Sequence, residues 1–166
     1  MCQSSHAELV GGLAMPTRQD TASATWMEHR ILDHVKQALR VTLDWRVPDV
    51  SVSRKLSSVQ FTANSFRRHF ERVMSIEEEG GYMSVVGEMK PYLHERIDRL
   101  AGNHEHFRDR MRLLLPKIDS VTEWEEARFH ELCEELRALL DDVDEHDAKE
   151  IALLQEALLF DVGGEG

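Results

Sequence analysis

The sequence predicts an all-α fold, an antiparallel up-down-up-down four-helix bundle, and three observations carry that expectation. From Thr25 onward apolar residues recur at three- and four-residue steps. Alternating β-branched runs are almost absent. The periodic segments are several turns long and separated by short breaks, so each amphipathic helix must bury its apolar stripe against its neighbours.

The elements follow in order. Residues 1–24 are rich in Ser, Thr, Gly and Gln, contain Pro16 and lack periodicity. They are expected to form a disordered or loosely attached tail, leaving 25–166 as the bundle. The first helix runs from Thr25, a suitable N-cap, to Trp45, with Leu32, Val35, Leu39 and Leu43 on one side. Arg46-Val47-Pro48-Asp49 breaks it, because proline removes a backbone donor and clashes with the preceding turn. The second helix begins between Ser53 and Ser57 and carries Val59, Ala63, Phe66, Phe70 and Val73 up to Gly80-Gly81. A short continuation, Tyr82 to Met89, bends away. The third starts at Pro91, a good first-turn residue, and presents Leu93, Ile97, Leu100, Phe107, Met111, Leu114 and Ile118. The fourth opens near Ser120 or Thr122, with Glu123 and Glu125 placed to favour its first turn. It carries Phe129, Leu132, Leu136, Leu139, Val143, Leu154 and Ala157 and ends at Gly163-Gly164.

Bulk properties narrow the function classes. The net charge of -11 disfavours nucleic acid and anionic membranes, which would repel most of this surface. Two cysteines, Cys2 and Cys133, give neither a disulfide framework nor a zinc knuckle and suit a reducing compartment. No apolar run reaches the roughly 20 residues of a membrane-spanning helix, and no basic segment precedes the weakly apolar stretch from Leu9 to Met15. The cytoplasm is the expected location. Nucleophile motifs and phosphate-cradling glycine loops are missing.

The informative residues are polar ones that occupy stripe positions. On the third helix Leu93, Ile97 and Leu100 lead to His104 before Phe107 and Met111 resume. On the second, Phe66, Phe70 and Val73 lead to Glu77; on the fourth, Leu136, Leu139 and Val143 lead to His146 and Glu150. One turn separates His146 from Glu150, which stacks them on one side. A core histidine can be satisfied by a hydrogen bond, and a glutamate at a bundle end can reach water. Three helices each placing a ligand-type residue in an apolar stripe point instead to a metal ion, since uncompensated buried carboxylates cost several kcal/mol. Imidazoles and carboxylates from facing helices are how bundles hold di-iron and di-manganese. His94, His106 and His130 fall off the stripes and are expected at the surface.

Several segments resemble the hemerythrin-like domains of bacteria. Glu28-His29-Arg30-Ile31-Leu32 is similar to the opening of their first helix, and Glu77-Glu78-Glu79-Gly80-Gly81-Tyr82 to their acidic turn. Leu100-Ala101-Gly102-Asn103-His104 resembles their Leu-x-x-Glu-His segment. The stretch from Glu145-His146 to Glu150, with Leu153 to Ala157 and Asp161-Val162-Gly163-Gly164, is similar to their closing helix and tail. The resemblance implies metal ligands at His29, Glu77, His104, His146 and Glu150, with the glutamates bridging two ions; His34 is the alternative to His29. Two positions depart from the pattern. Val73 stands where the family has a histidine, with His69 one turn earlier as its substitute if the helix shifts, and Arg108 replaces a second histidine on the third helix. Fewer imidazoles leave a di-iron, mononuclear or vacant site open.

The resemblance implies a non-haem iron protein that binds or senses dioxygen or a related small oxidant, or handles iron, with Phe66, Phe70, Met111 and Leu139 as pocket walls. Turnover is not expected, since no general acid or base stands out beyond the ligands. No protein partner is indicated. The rival is a metal-free bundle kept as an interaction or regulatory module. A di-iron oxidase or peroxidase would need more carboxylates.

Overall fold

The computed structural model describes residues 18–46, 50–79 and 82–159. These form five helices and no strand: α1 (Arg18–Asp44), α2 (Val52–Glu78), α3 (Tyr82–Met89), α4 (His94–Ser120) and α5 (Glu126–Leu159). A single 3-10 turn, Pro91–Leu93, leads into α4. The all-helical expectation holds, and the segment from Tyr82 to Met89 is a helix of its own. The tail over 1–17, the break at Val47-Pro48-Asp49, the Gly80-Gly81 turn and the end at Gly163-Gly164 lie outside the described residues.

Four helix starts differ from the expectation; α4 begins at His94 rather than Pro91, because Pro91–Leu93 form the 3-10 turn before it. α1 begins at Arg18 rather than Thr25. No glycine or proline follows Pro16 before Thr25, and Ala22 and Ala24 favour helix, so nothing local stops the extension. α2 begins at Val52, with the Ser51 side chain accepting the backbone N–H of Arg54 as an N-cap. α5 begins at Glu126, because Thr122 through Glu125 make a separate turn first. Both the backbone N–H and the hydroxyl of Thr122 donate to Glu125 Oε2 at 3.0 Å, and the helix opens when Phe129 N–H reaches the Glu125 carbonyl.

Specific contacts set which parts of the helices face one another. His29 of α1 meets Glu77 of α2, while Thr42 meets Thr62, so the start of one helix lies beside the end of the other. Gln60 donates to the Ile118 carbonyl and Asn64 to Asp119, pairing early α2 with late α4. Arg110 pairs with Asp142 and Arg96 with Glu156 between α4 and α5. The ring closes where Lys36 of α1 meets Asp144 and Asp147 of α5 at 2.9 and 2.6 Å. Lys55 and Arg137 cover the Leu43 carbonyl in the last turn of α1, which has no partner within the helix, and Lys55 also takes the Trp45 carbonyl just beyond it.

The apolar core falls into two clusters. The larger runs through Leu39, Phe66, Phe70, Phe107, Met111, Leu136 and Leu139, and the smaller joins Met83 and Val86 of α3 to Leu93, Leu100, Leu153 and Ala157. On α4 the boundary falls between Leu100 and Phe107, and on α5 between Val143 and Leu153. His104, His146 and Glu150 occupy those intervals, so a polar layer crosses the core.

Deleting core volume should cost far more than trimming the surface. Leu139→Ala removes a fully buried side chain and is expected to lower unfolding free energy by about 2–5 kcal/mol in urea titration. Leu113→Ala, at an exposed position, should change it by roughly 0.5 kcal/mol or less.

Candidate metal centre

The polar layer is built from three long helices, with a contribution from α1 at its edge. Glu77 lies in the last turn of α2, His104 one turn before Phe107 on α4, and His146 and Glu150 one turn apart on α5. All four are between 0% and 4% exposed. The heptad-like spacing that aims Phe70, Phe107 and Val143 inward aims these residues inward too.

Their ligand-type atoms converge. His104 Nε2 lies 3.0 Å from His146 Nε2, 3.4 Å from Glu77 Oε2 and 3.6 Å from Glu150 Oε1. His146 Nε2 is 3.0 Å from Glu150 Oε1. On the outer side His29 Nε2 stands 3.1 Å from Glu77 Oε1, yet out of line for a hydrogen bond, and that buried oxygen accepts none. His104, His146 and Glu150 by themselves could hold a metal ion. Ligands bound at about 2.1 Å around one ion sit roughly 3.0–3.4 Å from each other, close to the 3.0–3.6 Å separations found here. The donor set of imidazole nitrogens and carboxylate oxygens fits a first-row divalent ion.

Electrostatics agree with that fit. The Glu77 carboxylate beside His29 raises that imidazole above its ordinary value, against the desolvation of burial. Burial opposes the charged form of His104, but the neighbouring carboxylates of Glu150 and Glu78 outweigh it and raise this group too. Burial holds Glu77 above the usual carboxylate range despite the neighbouring imidazoles. In the absence of a metal the layer therefore retains protons that a cation would displace.

Neighbours hold the imidazoles from behind. His104 Nδ1 lies 2.9 Å from Glu78 Oε1, and Asn103 reaches His146 Nδ1 at 3.4 Å. The Phe107 ring packs edge-on against His146, with centroids 5.3 Å apart, and also against Phe70. Of the expected walls, Phe66, Phe70, Met111 and Leu139 are all buried in the larger cluster, and Phe107 is the aromatic that touches a ligand-type side chain. Sequence reasoning passed over Glu78 and Asn103, although each is the chain neighbour of a stripe residue.

Among the sequence candidates, the structure brings together His29, Glu77, His104, His146 and Glu150. It does not bring in His69. That imidazole is two turns, about 12 Å, before Glu77 on an unbroken helix, and it faces Glu28 of α1, with Nδ1 3.8 Å from Glu28 Oε2. Val73 fills the intervening position as a core residue. His34 is exposed and contacts the Arg30 carbonyl of its own helix, so His29 is the histidine that α1 supplies. His106 and His130 are exposed, as expected, and His94, also exposed, contacts the Gly87 carbonyl of α3. Arg108 turns away from the layer toward Glu78.

A comparison with protein families matches residues 20–158 to the hemerythrin HHE cation-binding domain. The chain belongs to that family. No curated protein and no solved structure is similar enough to count as a match. The match spans the bundle from the first turns of α1 to the last turn of α5. It agrees with a cation-binding role for the His/Glu layer of this hemerythrin-like chain. None of the described helices is long and apolar enough to cross a membrane.

The raised groups give the metal-free protein a defined pH response. His29 and His104 titrate higher in the fold than the ordinary imidazole value of about 6.5, so their stabilising protons are fully bound below that pH and lost above it. Glu77, also raised, acts in the same sense from lower pH. With chelator present, the melting temperature is expected to fall as pH rises through and above about 6.5, and His104→Gln should flatten the fall. A melting temperature that climbs across this window would contradict the assignment.

Proposed function

We propose that this chain is a non-haem iron protein whose His/Glu layer binds or senses dioxygen or a related small oxidant. The observation that carries the reading is the convergence of four buried ligand-type side chains, Glu77, His104, His146 and Glu150, with half-exposed His29 at their edge and Glu77 Oε1 accepting no hydrogen bond. The helices are read as an antiparallel up-down-up-down four-helix bundle with α3 as an added cap. The start-to-end pairings of α1 with α2, α2 with α4 and α4 with α5 support that topology.

Iron would be held by His104, His146, Glu150 and Glu77, and at the outer position by His29 and the other Glu77 oxygen. Glu77 turns one oxygen to His104 and the other to His29, a disposition that suits a carboxylate shared by two ions. With one imidazole, the outer position is the weaker of the two. When bound, iron would supply the reversible contact with the oxidant. The chain's residues exclude bulk water through Phe107 and the apolar clusters on either side, and anchor the imidazoles through Glu78 and Asn103. A groove of about 260 Å³ between α4 and α5, with His146 and Phe107 in its wall, offers a small molecule an approach. The expected setting is the cytoplasm, without turnover.

The test is direct. After loading with ferrous iron, bound iron per chain is measured and the visible spectrum is recorded in air and under nitrogen. One to two iron per chain with an oxygen-dependent absorption band is expected, as in carboxylate-bridged iron pairs of helical bundles. His104→Ala and Glu150→Ala should abolish uptake, whereas His34→Ala and His94→Ala should leave it intact. An iron-free wild type, in which His104→Leu proves neutral or stabilising by removing a buried polar group, would favour the metal-free interaction module instead.

A further inference from the structure

Arg108 lies one turn beyond His104 on α4 and reaches across to α2. Its Nη1 and Nη2 donate to the two oxygens of Glu78 at 2.9 and 2.8 Å, the forked geometry in which a guanidinium fixes the plane of a carboxylate. Nη1 also donates to Glu105 at 2.9 Å. Glu78 Oε1, held in this way, faces His104 Nδ1 at 2.9 Å. The row Arg108, Glu78, His104 thus runs from half-exposed surface into the centre of the polar layer.

A neutral imidazole carries one proton, and a carboxylate can only accept. Nε2 of His104 faces the carboxylates of Glu77 and Glu150 and the His146 ring. Left alone, the ring would place its proton on Nε2, toward those acceptors, and so block the atom a metal needs. Glu78 competes for the same proton from the opposite side of the ring. Forked by the Arg108 guanidinium, the Glu78 carboxylate is charge-paired and remains an acceptor.

The geometry points to Arg108 and Glu78 as positioning residues of the metal centre, which together hold the proton of neutral His104 on Nδ1 and leave the Nε2 lone pair to the cation. This rests on reading the layer as a metal centre. Second partners of this kind, a carboxylate behind a ligating imidazole, typically account for about 10–100-fold in metal affinity. It also gives Arg108 a role: its charge is spent on Glu78 rather than set against the metal.

Two variants of the full chain, Glu78→Ala and Arg108→Met, test the inference with two readouts. The second keeps the alkyl packing of the arginine stem and removes only the guanidinium. On metal-free protein at alkaline pH, where the imidazole is neutral, proton–nitrogen NMR correlation reports which ring nitrogen of His104 carries hydrogen. Nδ1–H is expected in the wild type, Nε2–H in Glu78→Ala, and a mixture in Arg108→Met. Ferrous iron affinity should fall about 10–100-fold in Glu78→Ala and less in Arg108→Met, at unchanged helix content. Arg108→Lys, which keeps the charge without the fork, should recover part of the loss. A His104 tautomer that ignores Glu78, or an affinity that ignores both variants, would overturn the proposal. A wild-type chain that takes up no iron while its tautomer still follows Glu78 would overturn the metal reading and leave the proton-holding pair standing.

Discussion

Two imidazoles and two carboxylates buried together are the constraint around which the rest of this bundle is arranged. Taking a carboxylate out of water costs several kcal/mol, and the cost is recovered only by close partners. Here the partners are chiefly one another, at 3.0–3.6 Å between His104, His146, Glu77 and Glu150. Nitrogen lone pairs and carboxylate oxygens that face each other at such distances need either protons or a cation between them. The raised titration of His29, His104 and Glu77 is the proton answer, and the family's cation-binding character is the metal answer.

That constraint explains why the apolar core is divided. The layer separates a large cluster, packed by all four long helices, from a small one that α3 completes with Met83 and Val86. Without α3 the residues Leu100 and Leu153 would lose part of their cover, and the layer would lie closer to solvent. The contact between His94 and the Gly87 carbonyl ties this short helix to the start of α4.

Charge pairs outside the layer serve alignment more than stability. Lys36, almost fully buried, bridges Asp144 and Asp147, while Arg40 takes Asp141 and Asp144, so α1 and α5 are matched along their length. Most of the exposed pairs within single helices, such as Lys149 with Glu145, contribute little, because water and salt screen them. The difference lies in desolvation: only the pairs that lose water on one side gain enough to set a register.

Much of this was legible in the sequence, and the reasons are local. Periodicity is a property of one helix, so the stripes and their interruptions at Glu77, His104, His146 and Glu150 could be read without neighbours, and they marked four of the five converging side chains. His29 sits at the edge of its stripe, and only the packing of α1 on α2 decides that it, rather than His34, meets Glu77. The same packing turns His69 to Glu28 and gives Val73 to the core. Helix starts at Ser51 and Glu125 depended on which of several capping residues made its hydrogen bond. Arg108 was legible as a cation beside the site, but not as a partner for Glu78, because their pairing spans two helices. Composition and spacing thus determined by themselves that the chain is a helical bundle with ligand-type residues in its core. Only the tertiary structure decided which atoms meet and which carboxylate stands behind His104, since those depend on the relative rotation and register of helices far apart in the chain.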